Sequence, residues 1–472
     1  MNWSAQVQNI FAAFDEENTN ILINACPGAG KTTVLNALWN RVGCPTLYLA
    51  FNTGIVAEAK GKLGQKKDSD IATLHSFGFQ TLKSKYPYVK VNKWKVSNIV
   101  KRLYQSQWSP SQLRERSYDI SRVVSVLKNN AIFSYTPSII RDICYHLDIS
   151  SYDGIERNVW EVYMSSIDNT KEIDFDDMLT MPVYYHIKPE SYALVLVDES
   201  QDLNPIQYEL LKMMEGRFVF VGDRHQSIYA FRGAMPDGMD LISNHFACVD
   251  MPMTLTYRCA KGIVDIAQRY WADDIEALPE APEGIVRVST LEGEVFTSAD
   301  LLLCRNNAPL VKYAFRLLRE NIPCFVRGKD IEENLIRWVQ HFPAQSNAAL
   351  YSMASDEIDI EIEIARKKED YRKAERLEDK LKTLKVFITN CQGKEVSSLI
   401  QHIKDMFADG NGMQLSTIHK AKGLEAERVF FLDSHLAETP RKKESTTDVI
   451  QRLNVCYIGV TRPKHELVYL YS

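Results

Sequence analysis

The sequence predicts an α/β protein with two parallel-sheet cores, each interrupted by a mainly helical insertion. Short runs of apolar and β-branched residues recur along the 472-residue chain, and helical patterns separate many of them. Several runs are apolar on consecutive residues, as in parallel strands that are buried on both faces. A chain of this length exceeds a single hydrophobic core, which favours roughly two to four domains.

The apolar runs give the positions of the predicted strands. These are Ile21–Ala25, Thr46–Phe51, Tyr192–Val197, Phe218–Val221, Leu301–Cys304, Val429–Leu432 and Leu467–Leu470. Two stretches break the alternation of strand and helix, and they define the insertions. The predicted organisation is a first core (1–78 and 161–250) with a basic helical insertion (79–160), and a second core (251–330 and 411–472) with a short helical insertion (331–410).

The second insertion contains a strongly charged run, "DEIDIEIEIARKKEDYRKAERLEDKLKTLK". Apolar side chains from Tyr371 to Leu384 recur there at helical spacing, with charged residues on the other positions. The pattern predicts a solvated helix or a helical hairpin. Isoleucines at 358, 360, 362 and 364 alternate as in a strand, which leaves the start of the helix open.

Composition excludes several classes of protein. Hydrophobic content of 45% and charged content of 25% are ordinary for a globular protein. The nine cysteines are scattered and never spaced CxxC, which argues for a reducing compartment and against a disulfide framework or a zinc site. The N-terminus lacks the pattern of a signal peptide, and no apolar run approaches the ~20 residues of a membrane helix. We expect a cytoplasmic protein without a membrane partner.

The net charge of −5 conceals a basic segment. Between Ile71 and Arg114 there is no acidic residue, and aromatic side chains alternate with cations. The eight cations are Lys83, Lys85, Lys90, Lys93, Lys95, Lys101, Arg102 and Arg114, and the rings are Tyr86, Tyr88, Trp94, Tyr104 and Trp108. Cations for phosphates and rings for stacking are typical of single-strand nucleic-acid binding. A solvated basic face is the alternative interpretation.

A glycine-rich segment, "NACPGAGKTT", follows the first strand and precedes a helical pattern. This context is that of a P-loop, in which backbone N–H groups and a helix N-terminus hold phosphate oxygens. Lys31 would reach the β- and γ-phosphates, and Thr32 would bind Mg²⁺. The segment departs from GxxxxGK[ST] at Ala25, which occupies the position of the first glycine. The remaining candidate nucleotide contacts are Cys26, Pro27, Gly28, Ala29, Gly30 and Thr33.

A second motif, "YALVLVDESQD", delivers two carboxylates to the end of a buried strand. Ligands of open α/β sheets bind at the carboxyl ends of the strands. Asp198 would hold Mg²⁺, and Glu199 would polarise the attacking water. An acidic strand end in solvent is the alternative.

The segment "VGDRHQSIYAFRGA" combines a phosphate contact with aromatic rings. Gln226 follows a strand closely enough to lie beside the γ-phosphate, and Tyr229, Phe231 and Arg232 follow it within a few residues. A loop of this kind would couple hydrolysis to a change in the affinity for bases, since each stacked base contributes ~1–3 kcal/mol to the binding free energy. Packing and capping are the alternative role of these side chains.

In the order of these motifs the chain resembles the UvrD/Rep/PcrA family of superfamily 1 helicases. "ACPGAGKT" and "VDESQDLNPIQ" are similar to Walker A and Walker B, and "VGDRHQSIYAFRGA" to motif III, with Phe231 in place of the usual Trp. "LTYRCAKGIV", "MQLSTIHKAKGLEAERVFFL" and "NVCYIGVTRPKHEL" resemble motifs IV, V and VI. "AFNTGIVAEA" and "TLHSFG" are similar to motifs Ia and Ib, and "CRNNAPL" to the motif between IV and V.

The resemblance implies a role for each matching residue. At the adenine, it implies that Tyr257 stacks and that Gln8 reads the base, with Gln6 as the alternative to Gln8. At the ribose, it implies a contact from Glu425. At the γ-phosphate, it implies a contact from Arg258, with Arg462 as arginine finger. For the DNA strand, the matching residues are Phe51, Asn52, His75, Thr417 and His419.

The resemblance also implies two RecA-like motor domains, ATP and Mg²⁺ as cofactors, and an ATP-dependent DNA helicase. Arg258 and Arg462 lie in the second core, whereas Lys31 and Glu199 lie in the first, so a nucleotide touched by both would close a cleft between them. An arginine finger contributes ~10³–10⁵ in rate. The expected partners are single-stranded DNA, junctions of single- and double-stranded DNA, and replication, recombination or repair proteins. The expected protein is a monomer that moves 3′ to 5′ in a bacterial or phage-infected cell, associated with the nucleoid.

Two departures from the family favour translocation over strand separation. The second insertion is shorter than in larger relatives, and the chain ends at Ser472, where relatives continue into a duplex-splitting hairpin. A wedge would be absent or supplied by the basic insertion or by "SHLAETPRKKESTT". Two alternatives to a helicase stay open: a translocase that strips proteins from single strands, and a nucleotide-gated P-loop switch that binds a protein.

Overall fold

The computed structural model describes residues 3–16, 19–64, 66–149, 152–228, 235, 237–290, 293–408, 410 and 412–471. Contacts divide the chain into two compact units. The first comprises Met1–Ala25 and Gly30–Met253, and the second comprises Cys26–Ala29 and Thr254–Ser472. The larger part of the phosphate-loop turn thus groups with the second unit.

The first unit alternates strands and helices. Its strands are β1 (Ile21–Ala25), β2 (Thr46–Ala50), β3 (Asp70–Thr73), β4 (Lys90–Val91), β5 (Glu172–Ile173), β6 (Leu194–Val197), β7 (Arg217–Gly222) and β8 (Val249–Met253). Its helices are α1 (Ala5–Glu16), α2 (Lys31–Arg41), α3 (Thr53–Leu63), α4 (Leu74–Lys85), α5 (Lys95–Tyr104), α6 (Pro110–Asn129), α7 (Pro137–His146), α8 (Ile155–Asp168), α9 (Asp177–Tyr184), α10 (Pro205–Lys212) and α11 (Gly238–Phe246).

Six of these strands form one parallel sheet in the order β3-β2-β6-β7-β1-β8. The register pairs Leu49 with Val197 and Val197 with Phe220, and it pairs Asn24 with Gly222. The buried, consecutively apolar strands β1, β2, β6 and β7 confirm the four strands predicted in this half of the chain. Because all pairs are parallel, the carboxyl ends of these strands lie at one edge.

The helices of the predicted first insertion pack around a core of their own. Leu82, Val100, Leu127 and Tyr163 are among its buried side chains, and the cluster extends to Ile187. Residue 160 lies inside α8, so the helical segment continues beyond the boundary expected there, through α9. The short strands β4 and β5 pair in parallel at its margin.

A group of buried ions holds this helical segment together. Lys128 Nζ lies 2.7 Å from Asp174 Oδ2 and 2.7 Å from Asp177 Oδ1, and Lys95 Nζ donates to Asp177 Oδ2 at 2.7 Å. Burial alone would raise the pKa of Asp177, but the charges and hydrogen bonds of Lys128 and Lys95 lower it. Lys95, which is 1% exposed, therefore belongs to the interior, and the expectation that it contacts phosphates is wrong.

The second unit is also α/β. Its strands are β9 (Leu255–Thr256), β10 (Glu276–Ala277), β11 (Ile285–Ser289), β12 (Leu301–Cys304), β13 (Cys324–Val326), β14 (Met413–Thr417), β15 (Ala426–Leu432) and β16 (Pro463–Leu470). Its helices are α12 (Lys261–Ala267), α13 (Asn307–Arg319), α14 (Lys329–His341), α15 (Asn347–Lys367), α16 (Tyr371–Asn390), α17 (Val396–Phe407), α18 (His435–Glu438) and α19 (Thr446–Val460).

Six strands of the second unit form a parallel sheet in the order β11-β16-β15-β12-β14-β13. The strands predicted at Leu301–Cys304, Val429–Leu432 and Leu467–Leu470 are confirmed as β12 and as parts of β15 and β16. Two separate parallel sheets are what the sequence predicts for the fold.

The charged run forms the helical hairpin of α15 and α16, which confirms one of the two predicted forms. The alternating isoleucines lie on α15, where Ile358 and Ile362 are buried while Ile360 and Ile364 are exposed. The hairpin shares one apolar cluster with the sheet. From α16, Asp379 accepts hydrogen bonds from the first backbone N–H groups of α13, at 2.9 Å and 3.0 Å, so the insertion is fastened to the second core.

The segment "PRKKESTT", which follows α18, is also fastened to this hairpin. Arg441 pairs with Glu375, and Lys443 pairs with Glu369. From the hairpin, Arg372 pairs with Asp448 at the start of α19. Arg441 and Lys443 are therefore engaged with carboxylates of the same unit, and Lys442 lies over the ring of Tyr371.

Among the described helices, none combines the length and the apolar character that crossing a bilayer requires.

We predict that Asp177→Asn destabilises the first unit. Removal of one partner of a buried ion pair leaves an uncompensated charge, which costs about 3–5 kcal/mol. Chemical denaturation should show a lower free energy of unfolding for this variant. Glu58→Gln, which breaks the exposed pair of Glu58 with Lys62, is the control and should leave the stability nearly unchanged. Equal stability of both variants would contradict a structural role for the buried group.

Candidate functional site

The phosphate loop connects β1 to α2 by a turn that two glycines make possible. Gly28 and Gly30 have φ angles of 77° and 89°, in the left-handed region that favours glycine. Gly30 is the N-cap of α2, and Lys31 is its first residue. Lys31 Nζ donates to Ala25 O at 3.2 Å. The predicted strand–loop–helix context is thus present, with backbone N–H groups at a helix N-terminus.

Within the second unit, the turn Cys26–Ala29 is held by the segment around β9. Thr256 Oγ1 donates to Pro27 O at 2.7 Å, and the N–H of Tyr257 donates to Gly28 O at 3.0 Å. Cys26 Sγ donates to Thr254 O at 3.1 Å. The carbonyl groups of Pro27 and Gly28 are thereby occupied.

The two carboxylates of the second motif lie at the carboxyl end of β6. In the sheet, β7 lies between β6 and β1, the strand that leads into the phosphate loop. Asp198 is 5% exposed, and Tyr48 Oη donates to its Oδ2 at 3.3 Å. Burial raises the pKa of Asp198 to about 7; the charge of Glu199 adds to the rise, and that of Lys31 opposes it. A cation beside Asp198 would relieve this unfavourable burial of neighbouring negative charges.

The side chains available fit the Mg²⁺ that the P-loop implies. Among the described residues, no group of three or more His, Cys, Asp or Glu side chains is placed to hold a metal. Mg²⁺ bound together with a nucleotide takes one or two carboxylates and completes its shell with phosphates and water. Asp198 and the hydroxyl of Thr32, on the first turn of α2, are that kind of donor set.

Glu199 has an uncommon backbone conformation, with a φ angle of 51°. Its side chain accepts a hydrogen bond from Gln201 Nε2, and Gln201 Oε1 accepts from the N–H of Asp223 at 3.0 Å. Gln226 lies in the turn after β7, where its Nε2 donates to Asp223 Oδ2 at 2.7 Å. The sheet therefore brings Glu199 and Gln226 into one hydrogen-bonded group.

The residues expected at the DNA strand lie further along the same sheet edge. Phe51 and Asn52 follow β2, and His75 follows β3. Phe51 is 51% exposed, whereas Asn52 caps α3 by accepting from Ile55 N at 2.9 Å. Burial lowers the pKa of His75, although Asp176 acts against this shift.

A shallow cleft connects these residues to the carboxylates. Phe51 and His75 line it together with Asp198, Glu199 and Gln207. Along this edge of the sheet, the predicted DNA contacts Phe51 and His75 are followed by the two carboxylates, then by the turn that contains Gln226, and then by the phosphate loop.

In the second unit, two of the expected nucleotide residues, Arg258 and Glu425, meet near the amino ends of β15 and β16. Arg258 Nη2 lies 2.7 Å from Glu425 Oε2, and Lys464 Nζ lies 3.0 Å from Glu425 Oε1. Burial alone would raise the pKa of Glu425, but Lys464 and Arg258 lower it. The ring of Tyr257 is 55% exposed, as a stacking role requires.

Arg462 faces the interior of the second unit rather than solvent. It is 1% exposed, and its guanidinium donates to Ile458 O at 3.0 Å and to Leu424 O at 3.3 Å. A role as arginine finger stays a prediction, and it requires that these hydrogen bonds be exchanged for a phosphate.

Thr417 and His419 lie at the opposite edge of the second sheet, after the carboxyl end of β14. Thr417 is buried and His419 is half-buried. In the first unit, Gln8 is exposed on α1 and its Nε2 donates to Trp3 O at 2.8 Å. Tyr229, Phe231 and Arg232 lie outside the described residues.

Most of the basic segment is accessible. Apart from Lys95, its cations are exposed, as are Tyr88 (91%) and Trp94 (61%). Two of the rings instead serve packing: Tyr104 stacks on Trp108 with 4.2 Å between ring centroids. The stacking surface is thus smaller than the sequence suggests.

Three residues that take part in these groups have no predicted role: Gln201, Asp223 and Lys464. Gln201 lies in "DESQD", the segment that directly follows a buried strand. Its position near the end of such a strand is the sequence signal that could have identified it. Lys464 lies two residues after Arg462 in the sequence, but nothing in the sequence pairs it with Glu425.

Comparison with known proteins agrees with the two units. The UvrD/REP helicase N-terminal domain matches residues 6–247, and the UvrD-like helicase C-terminal domain matches residues 328–472. Two parallel six-stranded sheets in these units confirm the expected pair of RecA-like domains.

Several curated proteins are similar over part of their length. The ATP-dependent DNA helicase Rep of Escherichia coli K12 is 26% identical over 273 residues, which cover 52% of this chain and 40% of Rep. The putative ATP-dependent DNA helicase YjcD of Bacillus subtilis is 28% identical over 286 residues, covering 54% and 37%. A probable DNA helicase II homologue of Mycoplasma pneumoniae is 27% identical over 284 residues, covering 51% and 38%.

The matched part of the chain spans less than half the length of each of these relatives. The match to the N-terminal domain nevertheless extends over more than half of this chain, and the C-terminal domain follows it in the family's order. The chain belongs to the UvrD/REP helicase family.

Proposed function

We propose that this chain is an ATP-dependent DNA motor that moves along single-stranded DNA. The observation that carries the proposal is the order of side chains along one edge of the first sheet. The phosphate loop, the Gln226 turn and the carboxylates Asp198 and Glu199 lie beside Phe51 and His75, with a cleft that joins the carboxylates to the latter two. A nucleotide and a DNA strand would then act on one rigid element.

The nucleotide would be held by the phosphate loop and by Lys31, with Mg²⁺ at Thr32 and Asp198. When bound, Mg²⁺ neutralises charge on the phosphates. The position of Lys31, directly after the glycine-rich turn and at the start of α2, supports its proposed role at the β- and γ-phosphates.

Glu199 is proposed to polarise the attacking water. Phosphoryl transfer depends on positioning and on charge stabilisation more than on covalent chemistry, so a carboxylate held by hydrogen bonds suits this role. In the second unit, the expected contact to the γ-phosphate is Arg258, and the expected contact to the ribose is Glu425. The expected arginine finger is Arg462.

The DNA strand is proposed to contact Phe51 and His75 and the exposed part of the basic segment. Trp94 and Lys93 are adjacent there, with Lys93 Nζ 5.1 Å from the centre of the Trp94 ring. Rings stack on bases and cations attract phosphates, which together give binding with little sequence preference. The names of Rep and YjcD as ATP-dependent DNA helicases support DNA as the polymer.

One observation favours a second candidate, a translocase that displaces proteins and separates duplexes weakly. The segment "SHLAETPRKKESTT" is one of the two candidate wedges, and the ion pairs of its Arg441 and Lys443 with Glu375 and Glu369 engage it with the hairpin. Direction of movement, coupling between the two units, a monomeric state, and replication or repair partners stay predictions from the family resemblance.

We expect ATP hydrolysis that single-stranded DNA stimulates. Lys31→Ala should abolish turnover because it removes the cation at the β- and γ-phosphates. Glu199→Gln should retain nucleotide binding and lose turnover, because an amide does not polarise water as a carboxylate does. Phosphate release with and without an oligonucleotide measures both effects, and Lys62→Ala on the exposed face of α3 is the control. Hydrolysis without stimulation by DNA would contradict the motor.

We also expect Trp94→Ala to weaken binding of a single-stranded oligonucleotide. Loss of one stacked base costs ~1–3 kcal/mol, which corresponds to a severalfold to hundredfold rise in Kd. Fluorescence anisotropy at two salt concentrations measures the affinity and its salt dependence. Tyr135→Ala removes another exposed ring of the helical segment and should bind like the wild type. Equal affinity of Trp94→Ala and the wild type would remove this surface from the DNA path.

A further inference from the structure

One amide side chain connects the loops that follow β6 and β7. Gln201 Nε2 donates to Glu199 Oε2, and Gln201 Oε1 accepts from the N–H of Asp223 at 3.0 Å. Asp223 in turn accepts from Gln226 Nε2 at 2.7 Å. The connection therefore runs from the expected γ-phosphate contact to the expected water-polarising carboxylate.

The surroundings hold Gln201 in this orientation. Its side chain is 1% exposed, so both ends of the amide are satisfied by protein groups. A Cβ atom at Gly222 would lie 2.5 Å from Gln201 Oε1, so β7 has glycine at the position where the amide crosses it. A larger residue at Gly222 would displace the amide.

The turn after β7 is itself well defined. Asp223 Oδ1 accepts from the N–H of His225 at 2.9 Å, and the N–H of Gln226 donates to Asp223 O at 3.0 Å. A movement of Gln226 would move Asp223 and the N–H group that Gln201 binds. The amide would transmit that movement to Glu199.

We propose that Gln201 is a positioning residue that orients Glu199 for hydrolysis and makes this orientation depend on the turn Asp223–Gln226. The inference rests on the proposed function and extends it to a residue that touches neither nucleotide nor DNA. A displacement of about 1 Å at a reacting group can cost on the order of 100-fold in rate. The turnover should therefore respond to Gln201, while the affinity for ATP should respond little.

A purely structural role is the alternative, in which Gln201 only fills space and satisfies the backbone of Asp223. Two substitutions separate the possibilities. Gln201→Met removes both hydrogen bonds, whereas Gln201→Glu keeps an acceptor for the N–H of Asp223 and loses the donor to Glu199. Gln401→Met on α17, whose exposed amide donates to Asp405, is the control for replacing glutamine by methionine outside the proposed DNA surface.

The test is a double-mutant cycle on ATP turnover at saturating oligonucleotide. Gln201→Met and Gln201→Glu should each lower kcat by about tenfold or more and change KM for ATP by less than about threefold. Gln201→Met added to Glu199→Gln should lower the small residual kcat of Glu199→Gln, measured at high enzyme concentration, by less than about twofold, because Gln201 acts through the carboxylate that is already lost. Gln401→Met should have the kcat of the wild type.

Two results would overturn the inference: wild-type kcat in Gln201→Glu, or equal losses from Gln201→Met with and without Glu199→Gln. If circular dichroism shows that Gln201→Met is unfolded, Gly222→Ala takes its place in the cycle, since it displaces the amide and leaves residue 201 unchanged. Absence of turnover in the wild type would instead refute the proposed function itself, so the two failures are distinguishable.

Discussion

The parallel register of the first sheet is the constraint on which the rest depends. Because neighbouring strands all run in the same direction, the chain leaves β1, β7, β6, β2 and β3 at one edge, in that spatial order. Segments that are far apart in sequence thereby become neighbours: the phosphate loop begins at Cys26, while the carboxylates follow Val197. The backbone hydrogen bonds between buried strands fix this arrangement, and the residues at the edge are held in position by the sheet.

That rigid edge carries groups that are costly to bury. Asp198 lies beside Glu199 in the interior, and burial raises the pKa of Asp198 toward neutrality. Glu199 also adopts a left-handed backbone conformation that is uncommon for a residue with a side chain. Such features are typical of sites where a ligand supplies the missing charge. The hydrogen bonds of Gln201 and Asp223 then give the carboxylate a defined direction in the proposed mechanism.

The sequence predicts the buried strands and the strand–loop–helix context of the glycine-rich turn well, since both depend on local signals. Consecutive apolar residues mark a strand such as Leu194–Val197, and a glycine-rich turn before a helix marks a phosphate loop. Long-range pairing is not visible in this way. Lys95 is basic and lies beside an exposed tryptophan, yet Asp177 on a distant helix draws it into the core. Tyr104 likewise stacks on Trp108 instead of remaining available to bases.

The isoleucines of α15 show the same limit in another form. Their alternation suggests a strand, but at helical spacing Ile358 and Ile362 fall on the buried side while Ile360 and Ile364 face outward. Only the packing of α15 against α16 decides between the two. For Arg462, the family resemblance implies a role as arginine finger, whereas in the structure its guanidinium donates to the interior carbonyls of Ile458 and Leu424.

In the proposed mechanism, nucleotide and DNA bind at one sheet edge, so that each changes the affinity for the other. The most direct measurement is the Kd for a single-stranded oligonucleotide without nucleotide, with ADP and with a non-hydrolysable ATP analogue. We predict that the three Kd values differ by about fivefold or more, and that the oligonucleotide changes the analogue's affinity by the same factor, as linkage requires. Identical Kd values in all three states would contradict the account.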